Sequence, residues 1–514
     1  MPKGALLLDV PVGALLLAIV PVALLTVLVL RRRPLTASAW LAALVAAGLA
    51  FTVFGLDVAE LGVALLRGLW TGAWILLIVV PALLLFEVLD RSGALGRLST
   101  TVDQLAPTEG RQVLLIAWIL PSFLQGAAGF GVPIAIAAPL LVRRGWSPVA
   151  AVATCLIGYQ WSVTFGSMGS SYFMAEATAR LAAEDARSFA LRAGVVLAVS
   201  ALVAGVLVLR RTRRRPGDAW RLVALAVVMG LVLIATVSAQ PALGSTAAGL
   251  AGLLAAWWLL PDRGATRPDG RPLALAALPY LVLTLTAGLA LGVPALRDAL
   301  SDLGRLAPVL PGSEAAFDFN TPDAALTPAF VPLLHPLPYV LLAVVVGLVA
   351  YRWKGWWPAG TTHAALAGWL RRSRSVTFSV LGLTVLAAVL VEAGMVAAVA
   401  QSLAAALGLG FVALSAPLGT FGTVLTGSTT ASNALFAPLQ ADVAGGLGIP
   451  APVLLAGQTA GGNIGNALAP IVAAVGLTAA GARGREGEVL RANLGAAGIL
   501  LLTVTAMVAV MVVL

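Results

Sequence analysis

The chain has 514 residues, of which 60% are apolar and only 11% are charged. Soluble globular domains are about 45–50% apolar and about 25% charged, so this chain lacks the polar surface that a water-soluble protein of its size needs. The composition therefore excludes a soluble enzyme and a nucleic-acid-binding protein, and we attribute the net charge of +10 to the cytoplasmic loops of a membrane protein.

Apolar runs between charged residues predict twelve membrane-spanning helices, each long enough to cross the hydrocarbon core of a bilayer. The first run ends at Arg31–Arg33, and we interpret it as an uncleaved span rather than a secretion signal. The stretch 294–328 predicts an outer loop with one surface helix. The predicted spans are 8–30, 37–54, 68–89, 148–169, 189–209, 220–238, 243–260, 273–293, 329–350, 376–399, 451–475 and 490–514.

Two further apolar segments, 112–142 and 411–440, are too long for one span and too short for two. If each segment returns to the side from which it came, 25 of the 32 Lys and Arg residues lie in inside loops and 7 lie outside. A single crossing by either segment would remove this asymmetry, and basic residues favour cytoplasmic loops. We therefore predict two re-entrant helical hairpins, the first open to the inside and the second open to the outside.

Corresponding features in the two halves of the chain predict an inverted repeat. Each hairpin is followed by a span that small residues interrupt, at Phe165–Gly169 and at Gly461–Gly465. Inverted repeats with broken helices are typical of many secondary transporters. We predict an all-α polytopic membrane protein with one transporter domain, 1–514, whose repeat halves cover about 68–238 and about 329–514.

The hairpin tips and the broken spans contain the polar residues that predict a binding site. Glycines at the first tip let the backbone approach a ligand, and hydroxyl and amide groups at the second tip can cap a half-helix. Two converging helix N-termini suit a small anion such as a carboxylate, although the same small residues could serve helix packing alone. The predicted substrate-binding residues are Gln125, Gly126, Gly129, Gly131, Gly166, Ser428, Thr429, Thr430, Ser432, Asn433, Gln458, Asn463 and Asn466.

Few other residues indicate chemistry. Glu392 is the deepest carboxylate in a predicted span, and we predict that it is the proton-coupling residue, unless it is solvated at the outer end of that span. Cys155 lies in an apolar run and is interpreted as a core residue, while His335 and His363 are too few and too distant for a metal cluster. The chain also lacks the motifs of zinc proteases, serine hydrolases and P-loop NTPases. We therefore expect no cofactor, no metal and no catalytic activity.

Three segments, Phe123–Ile136, Phe165–Gly169 and Leu425–Phe436, resemble the signature sequences of the bacterial L-lactate permease family. The resemblance covers most of the chain and is most specific at 112–170 and 411–490. It implies a multi-pass secondary transporter of the bacterial plasma membrane that imports L-lactate, and in some members glycolate or D-lactate, together with protons.

Three positions depart from the family pattern. The resemblance implies a glutamate, an aspartate and a lysine where this chain has Gln125, Thr429 and Asn466. An anion site built from backbone N–H groups would survive these changes. Proton transfer through the side chain at the first position would not survive, because glutamine does not titrate. Coupling through Glu392, coupling to another ion, and a different substrate therefore all remain open.

The leading hypothesis is a proton-coupled symporter for L-lactate or a related small 2-hydroxy monocarboxylate. The alternatives are a sodium-coupled or differently specific organic-anion permease and, from another class, a membrane subunit or an integral membrane enzyme. The expected partners are a small carboxylate, a proton or sodium ion and the lipid bilayer, with no nucleic acid, and a homodimer is compatible with the sequence. An enzyme should cluster catalytic side chains at a membrane edge, whereas a subunit would not need two inverted polar hairpins.

Overall fold

The computed structural model describes residues 11–513 except 32, 98–104, 128, 130, 213–216, 262–269, 302–303, 318 and 322–326. The described chain is almost entirely α-helical. Within these ranges, ten helical stretches are long and apolar enough to cross a membrane, or twelve if each of two bent helix pairs counts as one span. The predicted class, an all-α polytopic membrane protein, is confirmed.

The N-terminal helices agree with the first three predicted spans. They are α1 (Val12–Leu30), α2 (Leu35–Thr52) and α3 (Val58–Arg91). A capping box starts α3, since the Glu60 N–H donates to the Asp57 carboxylate at 2.7 Å and the Asp57 N–H donates to Glu60 at 2.8 Å. Residues 8–10 of the first predicted span lie outside the described residues.

The segment predicted as the first hairpin folds as two packed helical arms with a break between them. The first arm contains α4 (Glu109–Val113), a π-helical turn (Leu114–Ile119) and α5 (Leu120–Ala127), and the second arm is α6 (Val132–Arg143). Gly131 precedes α6 with a φ of +83°, a left-handed conformation that favours glycine. Pro133 follows in the first turn, where its missing N–H costs no helical hydrogen bond. Ala128 and Phe130 lie outside the described residues.

The fourth predicted span is bent by 45° at an irregular break. Its elements are α7 (Pro148–Tyr159), 3-10 turns at Gln160–Ser162 and Ser167–Gly169, and α8 (Ser170–Thr178). Ser167 and Met168 have φ values of 47° and 58°, left-handed conformations that are uncommon outside glycine and often mark functional sites. The predicted end at residue 169 is wrong, because the helix resumes at Ser170 after the break.

The next four predicted spans are regular helices. They are α9 (Ala183–Leu209), α10 (Asp218–Ala239), α11 (Gly244–Leu259) and α12 (Gly270–Gly292). Small residues bring α11 against α5, since a Cβ added at Gly126 would lie 2.2 Å from Thr246 Oγ1, and one at Gly249 would lie 2.4 Å from Phe123 Cα. The first arm is therefore held against a spanning helix.

The predicted outer loop, 294–328, contains one helix and a small antiparallel sheet that the sequence analysis missed. These elements are α13 (Pro294–Ser301), β1 (Ser313–Ala315) and β2 (Phe319–Thr321). Strands of three residues are too short to show an alternating pattern. The Ala316 N–H donates to the Phe54 carbonyl at 2.8 Å, so the sheet is attached to the end of α2.

The ninth and tenth predicted spans are helices whose ends differ from the prediction. They are α14 (Leu337–Trp353) and α15 (Thr361–Glu392), and α15 is followed by α16 (Met395–Leu407). The predicted span 329–350 starts too early, because prolines disfavour a helix before Leu337. The predicted span 376–399 combines two helices, because Gly394 with a φ of +69° ends α15.

The segment predicted as the second hairpin is also two packed arms with a break. The arms are α17 (Val412–Thr426), which follows a 3-10 turn (Gly408–Phe411), and α18 (Thr429–Leu447). Gly427 is left-handed with a φ of +71°, and the Ser428 hydroxyl caps α18 by accepting from the Ala431 N–H at 3.3 Å. Residues 395–426 together are long enough for a span, but Gly408 divides them with a φ of +50°.

The last helices complete the second bent span and the C-terminal span. They are α19 (Ala451–Asn466) and α20 (Pro470–Ala479), bent by 42°, and α21 (Glu486–Val513). Glycines bring α17 and α19 into backbone contact, since a Cβ added at Gly461 would lie 1.9 Å from the Ala416 carbonyl oxygen. The inverted relation of the two halves and the depth of both hairpins in a membrane stay predictions.

Candidate functional site

A cavity of about 480 Å³ lies between the two helix breaks. Its walls come from the two breaks, the two bent spans, the start of α2, α3 and α15. The size is typical of small-molecule sites, which are about 300–1,000 Å³. The predicted site residues that line it are Gln125, Gly131, Ser428, Thr429, Thr430 and Asn466.

Two helix N-termini meet at this cavity. Gly131 precedes α6, Ser428 precedes α18, and both residues line the cavity. The first N–H groups of a helix have no partner inside the helix, and they give this end a partial positive charge. The arrangement is suited to holding a small anion without a charged side chain.

The cavity lining combines polar and apolar side chains and is uncharged. None of the described residues that line it is an acid or a base. The hydroxyl groups include those of Ser167, Ser170 and Ser171, and the apolar part includes Val163 and Val472. A ligand in this cavity would therefore receive hydrogen bonds from neutral groups and contacts from short apolar side chains.

Two of the positions that depart from the family pattern contact each other at the cavity wall. The Asn466 side-chain amide donates to Thr429 Oγ1 at 2.8 Å and to the Gly462 carbonyl at 3.4 Å. Thr429 is the first residue of α18 and Asn466 is the last residue of α19, so the pair ties the second break to the second bent span. A neutral hydrogen bond thus occupies the place where the resemblance implies an aspartate and a lysine.

The first break is joined to the first bent span in a similar way. The Gly129 N–H donates to Ser167 Oγ at 2.9 Å. A Cβ added at Gly129 would lie 2.1 Å from Ser167 Oγ, and a Cβ at Gly166 would lie 2.7 Å from Gln125 Cγ. Both glycines therefore allow a close approach that no larger residue permits, and they hold Gln125 and Ser167 at the cavity.

Asn433 and Asn463 lie behind the cavity wall in a buried hydrogen-bond network. The Asn433 amide donates to the Ser171 carbonyl at 2.8 Å and to Thr459 Oγ1 at 3.0 Å. Asn463 Oδ1 accepts from Thr164 Oγ1 at 3.0 Å. These bonds connect α18 and α19 to the first bent span, and neither asparagine is among the residues that line the cavity.

Three more predicted site residues have neighbours outside the cavity. Ser432 Oγ donates to the Gly419 carbonyl at 2.9 Å, and the Gln458 amide donates to Ser432 Oγ at 3.2 Å. Gly126 contacts Thr246 of α11. The structure therefore brings part of the predicted set to the cavity and places the rest in the packing that supports it.

Glu392 lies apart from the cavity, at the end of α15. One carboxylate oxygen is 3.2 Å from Arg67 Nη1 and also pairs with Arg180. The other oxygen accepts from Ser313 Oγ at 2.7 Å. The residue is 1% exposed, so it is buried and paired rather than solvated. Its role in proton coupling stays a prediction.

Glu176 is a carboxylate that the sequence analysis did not single out. It is half-buried on α8, beside the side chain of Tyr172. Among the described residues no arginine or lysine forms an ion pair with it. The predicted span ended at residue 169, before Glu176. Helical continuation after the glycine break is the signal that could have identified this carboxylate.

The chain matches the family model described as L-lactate permease over residues 14–261 and 324–514. It is 28% identical over 468 residues to the L-lactate permease of Salmonella typhimurium, an alignment that covers 82% of this chain and 81% of that protein. It is 25% identical over 502 residues to the glycolate permease of Escherichia coli, with 84% and 83% covered.

The fold is similar to that of the YdaH transporter of Alcanivorax borkumensis. The TM-score is 0.51 at 17% sequence identity, and the match covers 95% of this chain and 98% of that chain. At this identity the similarity concerns the fold alone. The family match includes both helix breaks, both bent spans and the cavity between them. The chain belongs to the L-lactate permease family and is a multi-pass transport protein of the bacterial inner membrane.

Proposed function

We propose that this protein is a secondary transporter that imports L-lactate or a related small 2-hydroxy monocarboxylate. The observation that carries the proposal is the uncharged cavity, with hydroxyl and amide groups beside apolar side chains, at which α6 and α18 begin. The relatives named above are an L-lactate permease and a glycolate permease, whose substrates share a carboxylate with an adjacent hydroxyl group.

The chemistry of the cavity supports this substrate class. Free N–H groups at the starts of α6 and α18 would hold the carboxylate. The side-chain amide of Gln125 and the hydroxyls of Ser170 and Ser171 offer partners for the 2-hydroxyl group. Val163 and Val472 offer apolar contacts for a methyl group. Lactate differs from glycolate by one methyl group, and burying it contributes only about 0.8 kcal/mol to binding. We therefore expect the protein to discriminate only weakly between lactate and glycolate.

The position of the cavity supports an inward-open state. The cavity extends to Pro34–Thr36 and to Ser375–Ser379. These residues adjoin Arg33, which follows α1, and Arg374 on α15, and both are among the basic residues that the charge distribution assigns to the cytoplasmic side. We therefore assign the opening of the cavity to the cytoplasmic face.

We propose that the coupling ion is a proton, and that Glu176 joins Glu392 as a candidate for carrying it. Protonation of Glu392 would leave Arg67 and Arg180 without their anionic partner. An unpaired buried charge is costly, so this step would need a large rearrangement. Protonation of Glu176 leaves no cation unpaired, because it has no basic partner among the described residues. This difference favours Glu176.

Uptake of labelled L-lactate into proteoliposomes tests the proposal. The vesicles carry an imposed pH gradient with the acid side outside, a sodium gradient, or neither. We expect accumulation only with the pH gradient, its loss when a protonophore is added, and competition by glycolate but not by acetate. Gly48→Val, purified and reconstituted in the same way, should transport like the wild type, because nothing lies within 4 Å of a Cβ at Gly48. Absence of lactate transport under every gradient would overturn the proposed substrate. Accumulation that depends on the sodium gradient alone would overturn the assignment of the proton as the coupling ion.

A further inference from the structure

A second, much smaller pocket lies on three of the helices that line the large cavity. Its volume is about 20 Å³, and its walls come from α3, α8 and α15. The large cavity contacts α3 at Val79 and reaches Leu383 on α15, whereas the small pocket contacts Thr71 on α3 and begins at Thr384 on α15. The two contacts on α3 are about 12 Å apart at 1.5 Å per residue, and the two linings on α15 are consecutive. The small pocket therefore lies on the outward continuation of the cavity.

Two arginines in this pocket converge on one carboxylate. Arg67 and Arg180 line the pocket and both pair with the same oxygen of Glu392. The three groups together carry one excess positive charge. Asp442 on α18 is close enough to interact electrostatically with Arg180, but no ion pair joins them.

Arg67 has unused capacity to bind an anion. Its side chain is 3% exposed, and within the described part of the chain its Nε has no hydrogen-bond partner. Its contact with Glu392 through Nη1, at 3.2 Å, also lacks hydrogen-bond geometry. A guanidinium group prefers two parallel hydrogen bonds to a carboxylate, and Glu392 does not provide them here.

A segment of the outer loop covers the pocket through polar contacts. Arg67 Nη2 donates to the carbonyls of Leu310 at 3.1 Å and Pro311 at 2.6 Å. Ser313 Oγ donates to the free oxygen of Glu392 at 2.7 Å. Because these contacts are hydrogen bonds to the same charged groups, an arriving anion could replace them one by one.

The backbone of Arg180 is held in an unfavourable conformation. Its φ is +53°, and it lies just beyond the end of α8 at Thr178. Glycine is the usual residue at a left-handed position that follows a helix. An arginine there costs conformational energy, which indicates that the guanidinium group is needed at this point.

We propose that this pocket is the outer access site for the substrate carboxylate, bound by Arg67 and Arg180 when the protein opens to the outside. In the inward-open state Glu392 takes the place of the substrate and keeps the two arginines paired. The inference rests on the proposed function, since the ligand is the transported small monocarboxylate. It assigns Glu392 to the gating of the outer site.

Transport kinetics measured separately at each face of the membrane test this assignment with Arg180→Gly. This variant removes the charge, and glycine adopts the left-handed φ at this position without strain. In oriented proteoliposomes, the half-saturation concentration of L-lactate is measured at the outer face and at the inner face. We expect this concentration to rise about tenfold at the outer face and to change by less than about twofold at the inner face. Arg180→Lys should lie between wild type and Arg180→Gly. Arg297→Gln is the control, because Arg297 is an exposed arginine of the outer segment, paired with Asp298.

Two results would overturn the inference. An unchanged outer half-saturation in Arg180→Gly would show that the arginine does not receive the substrate. A parallel change at both faces would show a structural role. Failure of the proposed function is a different result, because then the wild-type protein transports no lactate from either face.

Discussion

Replacing Gly129 by alanine should largely stop transport, because the added methyl group has no room. Its Cβ would lie 2.1 Å from Ser167 Oγ and 3.0 Å from Gln125 Nε2, whereas ordinary contacts begin at 3.4 Å. The Ser167 hydroxyl would have to move by roughly 1 Å, and such overpacking costs about 1–3 kcal/mol. The hydrogen bond from the Gly129 N–H, 2.9 Å long, would also be lost, at about 0.5–1.5 kcal/mol. The sum of about 1.5–4.5 kcal/mol corresponds to a loss of roughly 10- to 2,000-fold in binding.

A second change should restore much of the activity. Ser167→Gly removes the hydroxyl that collides with the new methyl group, and the φ of 47° at this position suits glycine. The double variant Gly129→Ala with Ser167→Gly still lacks the hydrogen bond, so we expect uptake within about tenfold of wild type. The bulkier Gly129→Val should not be rescued, because the Cβ alone already lies 3.0 Å from Gln125 Nε2.

The assay is initial uptake of labelled L-lactate in cells, normalised to the amount of protein in the membrane. Gly48→Ala is the matched control, since it adds the same methyl group where nothing lies within 4 Å. Wild-type uptake in Gly129→Ala would refute the packing argument. If the double variant is fully expressed but recovers no uptake, the methyl group acts by obstructing the ligand directly, and its collision with Ser167 is not the cause of the loss.

Three further results are expected. Thr429→Val removes the acceptor of the Asn466 amide and should raise the half-saturation concentration about three- to tenfold, whereas Thr429→Ser should restore it; equal values for both variants would contradict the contact. Asn433→Ala loses two buried hydrogen bonds and should destabilise the protein by about 1–3 kcal/mol, seen as a lower Tm in detergent; an unchanged Tm would count against the network. Glu176→Gln should abolish accumulation driven by a pH gradient while exchange continues, and the sequence analysis predicts the same of Glu392→Gln; normal accumulation in either variant removes that residue from coupling.

The spans could be predicted because lipid imposes a simple rule. A spanning helix must satisfy its own backbone and show apolar side chains to the membrane, so α10 and α21 are evident from composition. The errors occur where single residues decide a boundary. Prolines delay α14 until Leu337, and Gly394 ends α15 before the apolar run is complete.

The site was harder to predict, because position in the sequence does not reveal which way a side chain points. Thr430 and Asn433 are neighbours on α18, yet Thr430 lines the cavity and Asn433 binds Thr459 behind it. Ser170 and Ser171 reach the cavity from a helix whose predicted span had ended at residue 169. These orientations depend on tertiary packing.

The partners of Glu392 illustrate the same limit at long range. Arg180 is 212 residues away in the sequence, and Ser313 lies in a loop whose short strands gave no pattern. The sequence showed a deep carboxylate and predicted a chemical role. The structure shows that the carboxylate is paired with two arginines, and this result redirects the search for a proton carrier to Glu176.

The central claim is that a small 2-hydroxy monocarboxylate occupies the cavity at which α6 and α18 begin. Cys155 is the single cysteine and is buried, so Ser428→Cys in a Cys155→Ala background places one reactive thiol at the cavity. A membrane-impermeant thiol reagent should modify it from the cytoplasmic face, and L-lactate at about five times its dissociation constant should slow the reaction about sixfold, while acetate should not. A modification rate that saturating lactate leaves unchanged, in a protein that still transports lactate, would contradict the claim.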